Sequence, residues 1–484
     1  MIRLTALAVC LCAGAAFGQQ ASREVVATDA TGTRVDRVFV PQLMLGEDGA
    51  TSRAGLLWTY NDAASITESV ALGDGGRESW VAHSLNDKRM SKFTTTGGGV
   101  PDFVYSLAMQ MPDTIGVAAA ADGTLCAMIE WRNSALVTVR GFAGTGTGTP
   151  LWSFTYNGTY TNSGKRAVAV SGNGMRVATC AFDGTDTLLV LHNGATGAMM
   201  GSATIPGYCS GVEMDDSGTR ILVTAGSVAR LYDTATMTEV YSLATSGAGG
   251  YHRISRDGTA IAAGGFNIRA AREIGGVWQT VYAGGGSTDW FGWGMSLSGD
   301  GETLFVLSHD YGDGYLTNEH RIVDLTTGTV VAVNSYTGSG SFQNSAVAAQ
   351  TNDDGTIFAA ASWGDAGNTE PEVRIFDRDL NMIGSIDTAG SPFELDMSRD
   401  GRYVLVGSKA VHANTFGNGG NTYAYENDSL CVADFNGDGT VNTQDVLAFL
   451  NAWTSDDPSA DINGDGSVNT QDVIMFLNLW NAGC

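Results

Sequence analysis

The sequence predicts an all-β propeller of eight four-stranded blades, with seven as the alternative count, followed by a small all-α unit. Three observations predict it. Before residue 445, short alternating runs split by Gly, Asp and Asn dominate and helical periodicity is scarce, which is the pattern of strands joined by tight turns. A turn of the Asp-Gly kind recurs eight times at intervals of 40 to 54 residues, the size of one propeller blade. The last 54 residues break the pattern, with two Asp/Asn/Gly loops that each lead into an apolar helix.

Residues 1–18 read as a secretory signal peptide: one Arg precedes an apolar run, and Ala16-Phe17-Gly18 forms a small-x-small cleavage site before Gln19. The run is too short to span a bilayer, and no later stretch reaches the ~20 apolar residues a transmembrane helix needs. The expected location is therefore outside the cell or on its surface. A formal net charge of −25 argues against nucleic acid and anionic membrane as partners.

The propeller is expected over 23–428. Its turns are Gly-Asp-Gly at 73–75, Ala-Asp-Gly at 121–123, Gly-Asn-Gly at 172–174, Asp-Ser-Gly at 216–218, Arg-Asp-Gly at 256–258, Gly-Asp-Gly at 299–301, Asp-Asp-Gly at 353–355 and Arg-Asp-Gly at 399–401. An irregular sandwich of Asp-Gly hairpins is the competing arrangement. Residues 392–428 supply only three strands, so the fourth strand of that blade is expected from 23–45, which removes the exposed sheet edge. The blade pattern resembles the WD40-like and quinoprotein-like propellers, and no quinone cofactor is inferred. Cys126, Cys180 and Cys209 fall in apolar strand runs. A Cys180–Cys209 bond is one option for them, and buried free thiols are the other.

The terminal unit, 431–484, carries the clearest chemistry. Asp-x-Asn-x-Asp-Gly-x-Val-Asn-Thr-Gln-Asp runs from Asp434 to Asp445, and again, 27 residues on, from Asp461 to Asp472. A calcium loop of the EF-hand kind takes oxygens from positions 1, 3, 5, 7, 9 and 12. In the first copy these are Asp434, Asn436, Asp438, Thr440, Asn442 and Asp445. In the second they are Asp461, Asn463, Asp465, Ser467, Asn469 and Asp472. Two Ca²⁺ ions are expected. The unit holds eight Asp and no Glu, Lys, Arg or His, so without a cation its carboxylates repel one another. Cys431 and Cys484 bracket it. They are either joined in a disulfide or two unrelated thiols.

Asp rather than Glu at position 12, the following apolar helices and the absence of a full entering helix give a segment that resembles a type I dockerin repeat pair. The Gly-Cys ending is similar to a variant at the C-termini of exported bacterial proteins. The resemblance implies a cohesin-like partner contacted through loop positions 10 and 11, which here are Thr443, Gln444, Thr470 and Gln471. Anchoring to the cell envelope through Cys484 is the competing role.

On the propeller, aromatics recur before the inner strands at Tyr160, Tyr208, Tyr251, Trp290, Phe342 and Phe393. The loops expected on the same face carry Asp183 and Asp186, His309 to Asp313, Trp363 and Asp365, and His412. Aromatics beside carboxylates suit a glycan. Aromatics at equivalent blade positions also serve as wedges between blades, and that bland reading carries more weight. No nucleophile or phosphate-loop motif is present. Glu213, Glu394 and Asp396, on inner strands, are the carboxylates from which a glycosidase or lyase pair would be drawn, and a structural role for each carries more weight. Two readings follow. The first is a non-enzymatic binding propeller carried by its dockerin. The second is a carbohydrate-active enzyme delivered to polysaccharide by the same module, an argument by analogy.

Overall fold

A computed structural model describes residues 22–29, 32–39 and 55–482, except 86, 108–114, 132–135, 159, 161–163, 245–250, 286–288, 291–293, 341–343, 413–418, 428–431, 437–440, 456 and 463–466. The expected signal peptide and both terminal cysteines lie outside the described residues.

Eight antiparallel sheets form the propeller, at 65–106, 115–155, 168–206, 209–244, 252–284, 289–337, 346–386 and 392–426. They are numbered here as blades 1 to 8. The inner strand of each blade touches that of the next, and blade 8 returns onto blade 1. All eight Asp-Gly-type turns join the first strand of a blade to the second.

The turn chemistry explains the repeat. In blade 5, Ser255 Oγ donates to Asp257 Oδ1 (2.6 Å), while the Thr259 and Ala260 amides donate to Asp257 Oδ1 and Ser255 Oγ (both 2.9 Å). Ser298 and Asp300 repeat this in blade 6, and Ser398 and Asp400 in blade 8. The closing glycine has two reasons to be there. Gly301 sits at φ +66°, and a Cβ on it would lie 2.5 Å from Ala260 Cβ of the preceding blade; only Gly accepts both conditions. Successive turns are also bonded to one another, with Asp216 N donating to Arg256 O (2.8 Å), Asp257 N to Gly299 O (3.0 Å) and Asp353 N to Arg399 O (2.8 Å). One end of the channel is therefore rimmed by backbone bonds between blades.

Closure differs from the expectation at one point. The fourth strand of blade 8 is Gly55–Asp62, paired with Gly420–Glu426, not a strand from 23–45. The hairpin Ser22–Asp29 with Gly32–Phe39 adds outside it, making a six-stranded sheet. The physical reason is the alternation in 55–62. Trp58, Tyr60 and Asp62 are buried, with Trp58 stacked on Phe93 of blade 1 at 5.0 Å and Arg89 of blade 1 reaching both Tyr60 Oη (2.9 Å) and Asp62 (2.7 Å).

Cys180 and Cys209 are disulfide-bonded, joining blade 3 to blade 4, and Cys126 is a buried free thiol. The bond closes a loop with a sequence separation of 29, worth roughly 3–4 kcal/mol in the chain-entropy treatment. Cys209→Ser is expected to lower the denaturation midpoint of the propeller accordingly. A midpoint that responds neither to this change nor to reductant would show the bond to be dispensable.

Candidate metal centre and channel site

The terminal module is a helix pair with internal twofold logic. Helix α1 spans Thr443–Thr454 and helix α2 spans Thr470–Ala482. Asn442 caps α1 by accepting from Gln444 N (2.8 Å), and Asp445 accepts from Asn442 N (2.7 Å). This is a reciprocal capping box. The second copy repeats it, with Asn469 Oδ1 accepting from Gln471 N and Asp472 Oδ2 from Asn469 N, both at 2.8 Å. Each tryptophan ties the opposite loop, Trp453 Nε1 donating to Asn469 O and Trp480 Nε1 to Asn442 O, both at 2.8 Å. Phe449 and Phe476 stack at 4.2 Å on the axis between the helices, with Phe435 edge-on to both. Loop positions 9 and 12 thus also start the helices, which explains Asn and Asp there.

The residues present fit calcium. Every loop position offers an oxygen, the donor a hard divalent cation prefers. Asp445 and Asp472 are fully buried in a module with no basic side chain of its own. Asp434, Asn436, Asn442, Asp461, Ser467 and Asn469 stand at their loop positions, whereas Asp438, Thr440, Asn463 and Asp465 lie outside the described residues. Among the described residues, no group of three His, Cys, Asp or Glu side chains is assembled to hold a metal.

Thr443, Gln444, Thr470 and Gln471 are all exposed. Beside them, one and two turns further on, Leu447 and Leu450 on α1 and Ile474 and Leu477 on α2 are exposed too. From the sequence these four residues belong to the apolar helices that follow the loops, without a partner-binding role of their own. The signal was present, since an apolar helix of this length cannot bury every face in a two-helix module.

The propeller face is divided differently from the sequence expectation. A channel cavity of about 510 Å³ collects Tyr208, Tyr251, Glu213, Glu394 and Asp396 with Lys165, Arg166 and Arg253. Arg166 and Lys165 of blade 3 reach across to Glu394 of blade 8, Lys165 at 3.4 Å, and Lys165 Nζ also donates to Phe393 O (2.9 Å). Glu213 is paired with Arg253 and accepts from Ile254 N (3.1 Å). Tyr251 is buried beneath the Arg166 guanidinium, 3.7 Å from its ring centre. Asp396 accepts from Leu72 N (2.8 Å), Met397 N (2.9 Å) and Gln350 Nε2 (3.1 Å), and burial pushes its carboxyl up to about 6 against those donors.

The remaining face residues scatter. Phe393 and Trp363 lie 6.4 Å apart near Lys165 and Lys409. Tyr208, which also lines the channel cavity, is exposed and edge-on to Phe182. His309 is buried, and Asp310 and Asp313 accept from the amides of Gly312, Leu316 and Thr317, fastening their own loop. Asp365 likewise binds Ser339 and Thr369, and His412 pairs with Glu372 at 3.0 Å. Trp290 pairs with His309 through the backbone, and Phe342 lies outside the described residues.

Residues 432–479 match the dockerin type I domain. Dockerin domains of this type bind calcium and cohesins. No curated protein gives a significant match. Among solved structures, the chain is similar to BamB from Moraxella catarrhalis (12% identity over 75% of this chain and 100% of that one, TM-score 0.50). It is also similar to the C-terminal WD40 domain of Sif2 (14%, 75% and 97%, 0.51) and to the Dos1 propeller (13%, 76% and 94%, 0.53). At these identities the likeness is one of fold. No helix among the described residues is long and apolar enough to cross a membrane.

Proposed function

We propose that this protein is an exported, non-catalytic binding propeller, spanning 23–428, that its dockerin module fastens to a cohesin-bearing assembly at or outside the cell surface. The observation that carries the reading is the duplicated module. Two capped loop–helix units are tied by reciprocal Trp bonds and present the same exposed Thr-Gln pair and the same two apolar residues twice. The two loops hold one Ca²⁺ each, through Asp434, Asn436, Asp438, Thr440, Asn442 and Asp445 and through their counterparts from Asp461 to Asp472. The ion supplies the positive charge that lets those carboxylates converge.

A non-catalytic propeller is favoured because two of the three channel carboxylates, Glu213 and Glu394, are each engaged by arginine, and the third, Asp396, is taken up by Leu72 N, Met397 N and Gln350 Nε2. The channel then serves as a site for a polar ligand, a glycan among the options, rather than as a glycosidase or lyase centre.

Two equivalent faces allow the partner to dock in two orientations related by about 180°. Against a type I cohesin, changing Thr443 and Gln444 to alanine is expected to leave affinity nearly unchanged. Changing all four residues, Thr470 and Gln471 included, should weaken it about a hundredfold or more, the scale of lost hot-spot contacts. Full binding by the fourfold variant, together with release of the protein into the medium by Cys484→Ser, would instead establish envelope anchoring.

A further inference from the structure

The module meets the propeller at the second calcium loop. The turn Asp74–Gly76 of blade 1 touches the turn Pro458–Ala460 between the module's helices. Next to it, Arg77 places Nη2 2.6 Å from Oδ2 of Asp461, whose side chain is fully buried while Arg77 is about a quarter exposed (26%). Asp461 is position 1 of the second loop. The module has no Lys, Arg or His, so this cation is borrowed from the other domain. Resting on the calcium-binding reading above, we propose that Arg77 is a competing cation for the second loop, so that calcium there and the docked position of the module on the propeller oppose each other.

The chemistry is one of like charges sharing a carboxylate. A guanidinium on Asp461 neutralises the charge that the loop would offer the ion. It also stands within a few ångströms of where a divalent cation must sit, and the two cations repel. Coupling between sites is reciprocal. If Arg77 weakens calcium at the second loop, calcium at that loop weakens the Arg77 contact by the same factor. The competition acts at the second loop, which Arg77 contacts, so on this proposal the first loop, from Asp434, fills at lower calcium. The second fills at higher calcium, as Asp461 leaves Arg77 and the ion pair between module and propeller is lost. The Arg77–Asp461 contact between module and propeller is thus set by the calcium level.

The test is a terbium titration of the full chain and of Arg77→Gln, with terbium standing in for calcium and tryptophan-sensitised emission as the readout. Trp453 bonds the second loop and Trp480 the first, so the phase lost in Trp453→Phe is that of the second loop. In the unchanged chain the second-loop phase is expected at higher terbium than the first. Arg77→Gln should tighten the second-loop phase about tenfold, within the range of ordinary coupling energies, and leave the first within about twofold. Arg77→Lys, which keeps the charge and guards against a folding defect, should tighten it by less. An unchanged or weakened second-loop phase in Arg77→Gln overturns the proposal while leaving calcium binding intact. Absence of both phases in the unchanged chain overturns calcium binding and the proposal together.

Discussion

Chelating calcium from the intact protein is expected to unfold the terminal module while the propeller stays folded. The module's fully sheltered core is small, with Ala433, Phe449, Ala460, Ile462 and Phe476 as its buried apolar residues among those described, and domains of this size are marginal without a metal or a staple. Against that core stand buried Asp445 and Asp472 and no basic residue in the module to compensate them; buried Asp461 is paired only from outside the module, with Arg77 of the propeller. Without the ions, the mutual repulsion of the carboxylates that converge on the two loops opposes the burial of this small apolar core. In chelator, the circular-dichroism contribution of the 12- and 13-residue helices should disappear. Limited proteolysis should then trim the chain back to the propeller, whose own melting temperature is expected to move little. Helices that stay protected in chelator would show that the aromatic stack suffices on its own.

Acidification is expected to act on the other domain. His192, His252 and His309 are held at about 4, and His320 at about 3, in each case chiefly because burial disfavours the charged imidazole. An unfolded histidine titrates near 6.5. The folded chain therefore binds fewer protons than the unfolded one below that pH, and stability is lost as pH falls from about 6.5 towards the folded values. At pH 5 a buried histidine of this kind withdraws on the order of 2 kcal/mol. Asp396 works the other way. Its folded value is raised to about 6, so it favours the folded state as pH falls through 6, by an amount comparable to one histidine and reduced by the water of the open channel. Burial also raises the carboxyls of Glu68, Asp353 and Glu372, which act in the same direction as Asp396; the four histidines alone contribute a loss of several kcal/mol between pH 7 and pH 5, and the net loss left after this offset is measurable by urea unfolding at both values. His320 is the informative residue. It lies among Phe305, Tyr336 and Phe376, so His320→Phe keeps an aromatic there and removes the titration. That variant should lose about 2 kcal/mol less than the unchanged protein between the two pH values. An identical pH dependence would place the acid-sensitive groups elsewhere.

Much of the architecture is legible in the chain because it is local. A Ser-x-Asp-Gly turn is made by bonds spanning two to five residues, as at Ser255 and Asp257, so eight turns in the sequence mark eight first-to-second strand connections in the fold. The terminal loops are local in the same sense: Asn442 and Asp445 cap the helix they precede. Their spacing alone identifies the module, and the residue types at each loop position carry the expectation of calcium.

What the tertiary structure decided concerns pairs far apart in sequence. Nothing near 55–62 announces that this strand, rather than 23–45, closes the ring; Trp58, Tyr60 and Asp62 choose it by meeting Phe93 and Arg89 of blade 1. Cys180 and Cys209 are neighbours because consecutive blades touch. The sequence favours a structural role for Glu394 without naming its partner, which is Arg166, 228 residues away in the chain. Arg77 lies in a turn of no evident interest until the module folds back and lays Asp461 against it. The division follows from physics: turn and cap bonds depend on residues a few positions apart, while ion pairs, disulfides and ring closure depend on where the whole chain returns.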